Sequence, residues 1–300
     1  MFAAATIRAP RPSPGPSPGE SSIEPGRVLQ ASQGFVFTGG SLGFTLHQSG
    51  NRVTHWIRNG YQVPVTVDLT PHYHGVVPVV SPPRAKTLVL QPRQNCLMAA
   101  YTRTGEAGTM QVAMDFRAMF GDPGVSPTPY VYAVPFRAPA VFTVLQAFNG
   151  RFSHTGSNRY AIDFDLPEGT VVTAARPGLV VATHDRALTG GGDPGLMALE
   201  HVNWVLVQHD DGTLAEYAHL QPHGVLVAIG QAVRRGEPLG LSGQTGFATL
   251  PHLHFSVFTA QDGQRKRTFP FVLRTQPSDA AGHIPLAGET YTAFEVPEVG

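Results

Sequence analysis

The chain has 300 residues, 42% of them hydrophobic and 14% charged, which is long enough for two modules of ordinary size and apolar enough to build a core. Lysine plus arginine equals aspartate plus glutamate at 21 each, so no net field draws the protein to nucleic acid or to an anionic membrane. The single cysteine, Cys96, excludes an internal disulfide and a cysteine-based zinc knuckle, and no stretch approaches the roughly 20 apolar residues that span a bilayer.

With 33 glycines and 27 prolines, the composition predicts an all-β chain of short strands and many turns. Residues 1–27 open on Met1-Phe2-Ala3 and pass into a Pro/Gly/Ser run, which reads as a flexible, proline-stiffened tail. The start lacks the charged beginning and apolar centre of a secretory signal. From Val28 to Phe136, period-two segments recur, among them Val63–Leu69, Thr87–Leu90 and Met110–Phe116. Punctuated by Gly, Pro and Asn, they predict a self-contained β-sandwich of about 100 residues. His72-Tyr73-His74, flanked by Pro71 and Gly75, reads as a surface turn, and no carboxylate or glycine-rich loop accompanies it as a metal site would require. Trp56 and Tyr61 fit a binding patch or core packing equally well.

Gly121 to Pro129 is a turn-rich connector, after which Tyr130–Phe136 reads as a strand. The second module, 137–300, again shows short strands, at Val171–Ala174, Leu179–Ala182, Trp204–Gln208, Ala215–Ala218 and Phe255–Phe258, without a long amphipathic helix or an internal repeat.

Chemistry concentrates in this second module. In Pro251-His252-Leu253-His254-Phe255, two histidines two apart on a strand point to one face and can converge on one ion, beside the glycine-rich turn Gly240–Gly246. Two further clusters accompany the pair. One runs from His154 to Asp163; the other is a turn at Asp210-Asp211-Gly212 leading into Tyr217-Ala218-His219. Four histidines and an aspartate suit hydrolytic zinc chemistry: two imidazoles and a carboxylate hold the ion, leaving a fourth position for water, and two histidines remain as general base and oxyanion stabiliser. Asp163 and Asp165 share a strand face, so spacing does not choose between them. Neither Ser153 nor Ser242 stands in a nucleophile-elbow setting.

Four segments in this order resemble the lysostaphin and LytM type of zinc metallopeptidases, bacterial endopeptidases that cut peptide bonds in peptidoglycan. They are His154 to Asp163, Pro167 to Gly178, Tyr217-Ala218-His219-Leu220, and Gly246 through His252-Leu253-His254-Phe255, together covering roughly residues 141 to 260. The resemblance implies an antiparallel β-sheet peptidase domain with an open groove, one zinc ion held by His154, Asp163 and His254, and His219 and His252 as catalytic histidines. It favours Asp163 over Asp165, because the acid directly follows the Ala161-Ile162 pair. Eight residues separate His154 from Asp163, a longer interval than the commonest form of the family, and the extra residues are expected to bulge as a loop. Asn203 matches a position that faces the substrate in the family, although structural hydrogen bonding accounts for it equally. Thr245 and Gly246 are expected to shape the loop beside the histidine pair. His184, His201, His209, His223 and His283 fall on no matched motif and read as structural or exposed, His209 beside the Asp210 turn.

The function implied is a zinc endopeptidase acting on peptidoglycan peptides outside the cytoplasm, periplasmic or secreted. Two other readings compete with it: a non-catalytic wall-binding or amidase-regulating module, in which zinc ligands would be lost, and a zinc hydrolase of another amide.

Overall fold

A computed structural model describes residues 6–8, 27–80, 87–103 and 111–294. Most of the tail expected over 1–27 therefore lies outside the described residues. The exceptions are Arg27, which opens a strand, and Thr6–Arg8, which pairs along Gln111–Phe120. The protein is all-β: among the described residues the only helical elements are the 3-10 turns Gly156–Asn158, Pro194–Met197 and Leu199–His201.

The N-terminal half forms two sheets. Arg27–Phe37, Gly40–Ser49, Arg52–Asn59, Asn95–Arg103 and Val76–Val80 make a five-stranded antiparallel sheet in that order. Thr6–Arg8, Gln111–Phe120, Val65–His74 and Thr87–Leu90 make a four-stranded one. Alternating apolar side chains of the two meet, as where the Phe44 and Phe116 rings lie 4.6 Å apart. His72-Tyr73-His74 is the exposed end of the strand Val65–His74, not a turn. Thr87–Leu90 pairs with Val65–Asp68, and Pro71 pairs with Met114 on the other side.

The C-terminal half is built on a nine-stranded sheet whose central strands are Trp204–Gln208, Leu214–Ala218, Leu253–Ala260 and Ala161–Phe164. The strand expected over Tyr130–Phe136 shrinks to Val131–Tyr132, paired in parallel with Val272–Leu273. Pro129 and Pro135 bracket it and offer no N–H to a ladder.

All eight residues of Leu253–Ala260 are buried, because both faces of this sheet are covered. Leu253, Phe255 and Val257 join one apolar core with Tyr132, Phe136 and Tyr217. Phe258 and Ala260, on the other face, join a core with Trp204, Leu206 and Leu214 that also contains Phe35, Phe37, Tyr61 and Phe120 from the N-terminal half. Tyr61, wholly buried, donates its hydroxyl to Phe35 O at 2.6 Å and accepts from Phe37 N at 3.0 Å, so it serves the core and not a binding patch. Thr38 and Thr183 bridge the halves through backbone hydrogen bonds of 3.1 and 3.0 Å.

Candidate active site

His254 and Ser256 extend the face that carries Phe258 to the opposite end of the sheet, and there the motif residues collect. The strand register sets Asp163 directly across from His254, with Ala218 across from it on the other side. Asp163 Oδ1 accordingly lies 2.9 Å from His254 Nδ1. His154 enters from the turn ahead of Gly156–Asn158. Its Nδ1 donates to Ala147 O at 3.0 Å, which leaves the lone pair on Nε2, and that nitrogen stands 3.1 Å from Asp163 Oδ2. Two acceptors face each other so closely only with a proton or a cation between them.

One ligand atom from each of His154, Asp163 and His254 lies within 4.8 Å of the other two, and all three residues are buried. Two imidazoles and one carboxylate in this arrangement fit a zinc ion with a position left open. Burial pushes His254 down to about 4 despite the opposing pull of Asp163. Burial likewise carries His219 well below its ordinary value, with His252 and His254 adding to the effect. Both imidazoles are thus neutral near pH 7, the form that ligates a metal or accepts a proton. Burial alone would raise the Asp163 carboxyl, but the imidazoles of His154, His254 and His252 outweigh it and hold the group well below the usual carboxylate range.

His219 follows the end of Leu214–Ala218 with φ +66°, a left-handed conformation that is strained for a residue with a Cβ. Its Nδ1 donates to Thr245 O at 2.7 Å. His252 stands at the entrance of Leu253–Ala260, donates Nδ1 to Leu250 O at 2.9 Å, and brings Nε2 to 3.9 Å from Asp163 Oδ1. The His219 and His252 rings lie 4.4 Å apart. All but His154 line a groove of about 270 Å³, walled by Leu145, Phe152, Leu196, Phe247 and Leu250 and open to solvent at Phe152, which is 73% exposed.

The structure thus brings His154, Asp163, His219, His252 and His254 together. Asp165 falls just past the end of Ala161–Phe164, exposed and outside the group. The expected bulge between His154 and Asp163 contains the 3-10 turn Gly156–Asn158. Asn203 is fully buried, exchanges hydrogen bonds with Ala187 N and O at 2.9 Å, and does not line the groove. Thr245 orients His219 through its carbonyl, and Gly246, at φ +79°, leaves no room for a Cβ, which would sit 2.7 Å from Val202 Cβ. His209 packs beside the turn, donating to Pro177 O, and His184 donates to Val202 O. His201, His223 and His283 are exposed.

Two features escape sequence reading. Gln146 reaches Asp163 from the end of Val141–Gln146. Behind His254, Glu216, Ser256 and Lys266 form a buried polar cluster: Lys266 Nζ and Ser256 Oγ both donate to Glu216 Oε2. Burial would raise the Glu216 carboxyl, but Lys266 and His254 prevail and lower it.

A β-rich fold with this buried donor set at a groove is compatible with a metallopeptidase, and the class itself comes from the comparison with protein families. Residues 157–266 match Peptidase family M23, so the chain carries an M23 domain; the matched span contains Asp163, His219, His252 and His254 and begins three residues after His154. Over 114 residues the chain is 36% identical to the peptidoglycan DD-endopeptidase ShyA of Vibrio cholerae, covering 37% of this chain and 23% of that protein. It is also 36% identical over 104 residues to the glycyl-glycine endopeptidase ALE-1 of Staphylococcus capitis, covering 35% of this chain and 25% of that protein. The chain spans less than half the length of these curated relatives. Among solved structures, the catalytic domain of lysostaphin from Staphylococcus simulans aligns at 25% identity with a TM-score of 0.29, over 42% of this chain and 86% of that one.

Proposed function

We propose that the protein is a zinc-dependent endopeptidase that hydrolyses peptide bonds of bacterial peptidoglycan, and that it works outside the cytoplasm, where that substrate lies. The observation that carries the reading is the buried His154, Asp163 and His254 group with its ligand atoms converging beside the groove. When bound there, zinc lowers the pKa of water and polarises the substrate carbonyl. The chain's own contribution follows from its hydrogen bonds. Donation from Nδ1 to Leu250 O and to Thr245 O fixes the tautomers of His252 and His219, so each presents a basic Nε2. An Nε2 that takes the proton of the attacking water becomes an imidazolium, which steadies the charge growing on the carbonyl oxygen and then returns the proton to the leaving amine. The apolar walls limit water around the scissile bond. We further propose that residues 28–136 act as a brace for residues 137–300, since their core runs into the sheet that carries His254.

The test compares the purified parent with His254→Ala for bound zinc and for fragments released from purified peptidoglycan. The parent is expected to hold about one zinc and release fragments, and the variant to lose both. Equal zinc in both proteins would overturn the ligand set. Zinc without release from several wall types would favour a binding module or another amide substrate.

A further inference from the structure

The geometry points to Gln146 as the positioning residue that holds two metal ligands, His154 and Asp163, in register with each other across the long interval between them. This inference rests on the zinc reading above. Asp163 and His254 need no such help, because a β ladder fixes them opposite one another. His154 has no ladder. It follows a turn and precedes a 3-10 turn, with eight residues between it and Asp163.

One side chain touches both ends of that interval. Gln146 Oε1 accepts from Phe152 N at 3.0 Å and from Ser153 N at 3.2 Å, the two peptide groups just ahead of His154. Its Nε2 donates to Ser153 Oγ at 2.8 Å and to Asp163 Oδ2 at 3.1 Å. Oδ2 is the oxygen that stands 3.1 Å from His154 Nε2, whereas Oδ1 faces His254. A donor on Oδ2 therefore sets the rotation of the carboxylate and decides which oxygen meets which imidazole.

The local backbone is shaped for this contact. Gln146 is the register partner of Asp163, and the pairing shifts between Val144 and Gln146, which re-aims the side chain. Across the turn, Gly150 leaves the space the amide occupies: a Cβ there would lie 2.2 Å from Gln146 Cγ. The chemistry requires an amide, since it must accept from two backbone N–H groups and donate to a carboxylate at once. Glutamate cannot donate when ionised, and lysine or arginine cannot accept.

The test measures zinc affinity directly, by competition between a chromophoric chelator and the purified full chain, in the parent, Gln146→Glu and Gly150→Ala. Gln146→Glu keeps the acceptor for residues 152 and 153 and loses the donor to Asp163; Gly150→Ala keeps the glutamine and fills its place. Both are expected to bind zinc about 10- to 100-fold more weakly than the parent. A purely structural role in holding the 150–153 turn predicts instead that Gln146→Glu binds as the parent does. Affinity within threefold of the parent in both variants overturns the inference and leaves the zinc reading intact. A parent that binds no zinc overturns both.

Discussion

Replacing Phe120 by alanine tests whether the two halves of the chain are one folding unit. The Phe120 ring is 2% exposed and lies 4.7 Å from Phe35, 4.9 Å from Tyr61, 6.2 Å from Phe37 and 6.1 Å from Trp204, so it joins the N-terminal core to the sheet of the C-terminal half. Phe→Ala changes in cores cost about 3–5 kcal/mol, with the larger values where the walls cannot collapse into the cavity. Here the walls are pinned: Tyr61 is hydrogen-bonded to Phe35 and Phe37, and Trp204 Nε1 donates to Leu199 O at 3.2 Å. The expected cost is therefore about 4–5 kcal/mol. Urea unfolding followed by far-UV circular dichroism and by tryptophan fluorescence reads the result, since Trp56 reports on the N-terminal sheets and Trp204 on the junction. Both probes should shift together in a single transition at lower urea. A loss below about 1.5 kcal/mol, or a first transition that leaves the Trp204 signal unmoved, would refute a shared core.

Glu216→Gln should destabilise the protein by about 3–5 kcal/mol, because it removes the carboxylate that faces the Lys266 ammonium in a buried cluster, and adding Lys266→Met should recover much of that; urea midpoints that hardly move would reject it. His55, pushed by burial from 6.5 to about 4, binds its proton more readily in the unfolded chain, so this group's contribution to stability is whole above about pH 6.5 and is lost as the pH falls toward 4, by about 3 kcal/mol in all. His55→Leu should remove that share of the slope between pH 7 and pH 4, and identical slopes for parent and variant would contradict the assignment.

The motifs made the chemistry legible because each holds its residues on one short segment. The His252 and His254 pair needs only the two-residue period of a strand, and Tyr217-Ala218-His219 needs only a strand end. Spacing left Asp163 and Asp165 open and only the family resemblance favoured Asp163; in the structure Ala161–Phe164 stops before Asp165, which lies exposed. Gln146 stayed hidden because an isolated glutamine carries no motif, and its partners are chosen by a register shift and a turn glycine. Glu216 and Lys266 are 50 residues apart and meet only because each of their strands pairs with Leu253–Ala260. The alternation of apolar residues announced strands correctly but could not say what would cover them. Residues 28–136 read as a self-contained module, yet the core that holds Phe37 and Phe120 continues to Trp204 and Phe258.

That continuity gives the N-terminal half a physical route to the site. Along one face of Leu253–Ala260, His254 stands at the groove, Ser256 touches Glu216 and Lys266, and Phe258 lies in the shared core with the Lys266 ammonium 5.1 Å from its ring centroid. A ligand that must keep one nitrogen aimed at a metal is oriented best by neighbours that cannot shift. Here the neighbour behind His254 is a buried ionic cluster, and its Lys266 lies over Phe258, which shares a core with Phe35, Phe37 and Phe120. None of the described N-terminal residues lines the groove. Among the described residues, the link between the N-terminal half and the site runs through the sheet and the core it shares with Phe258.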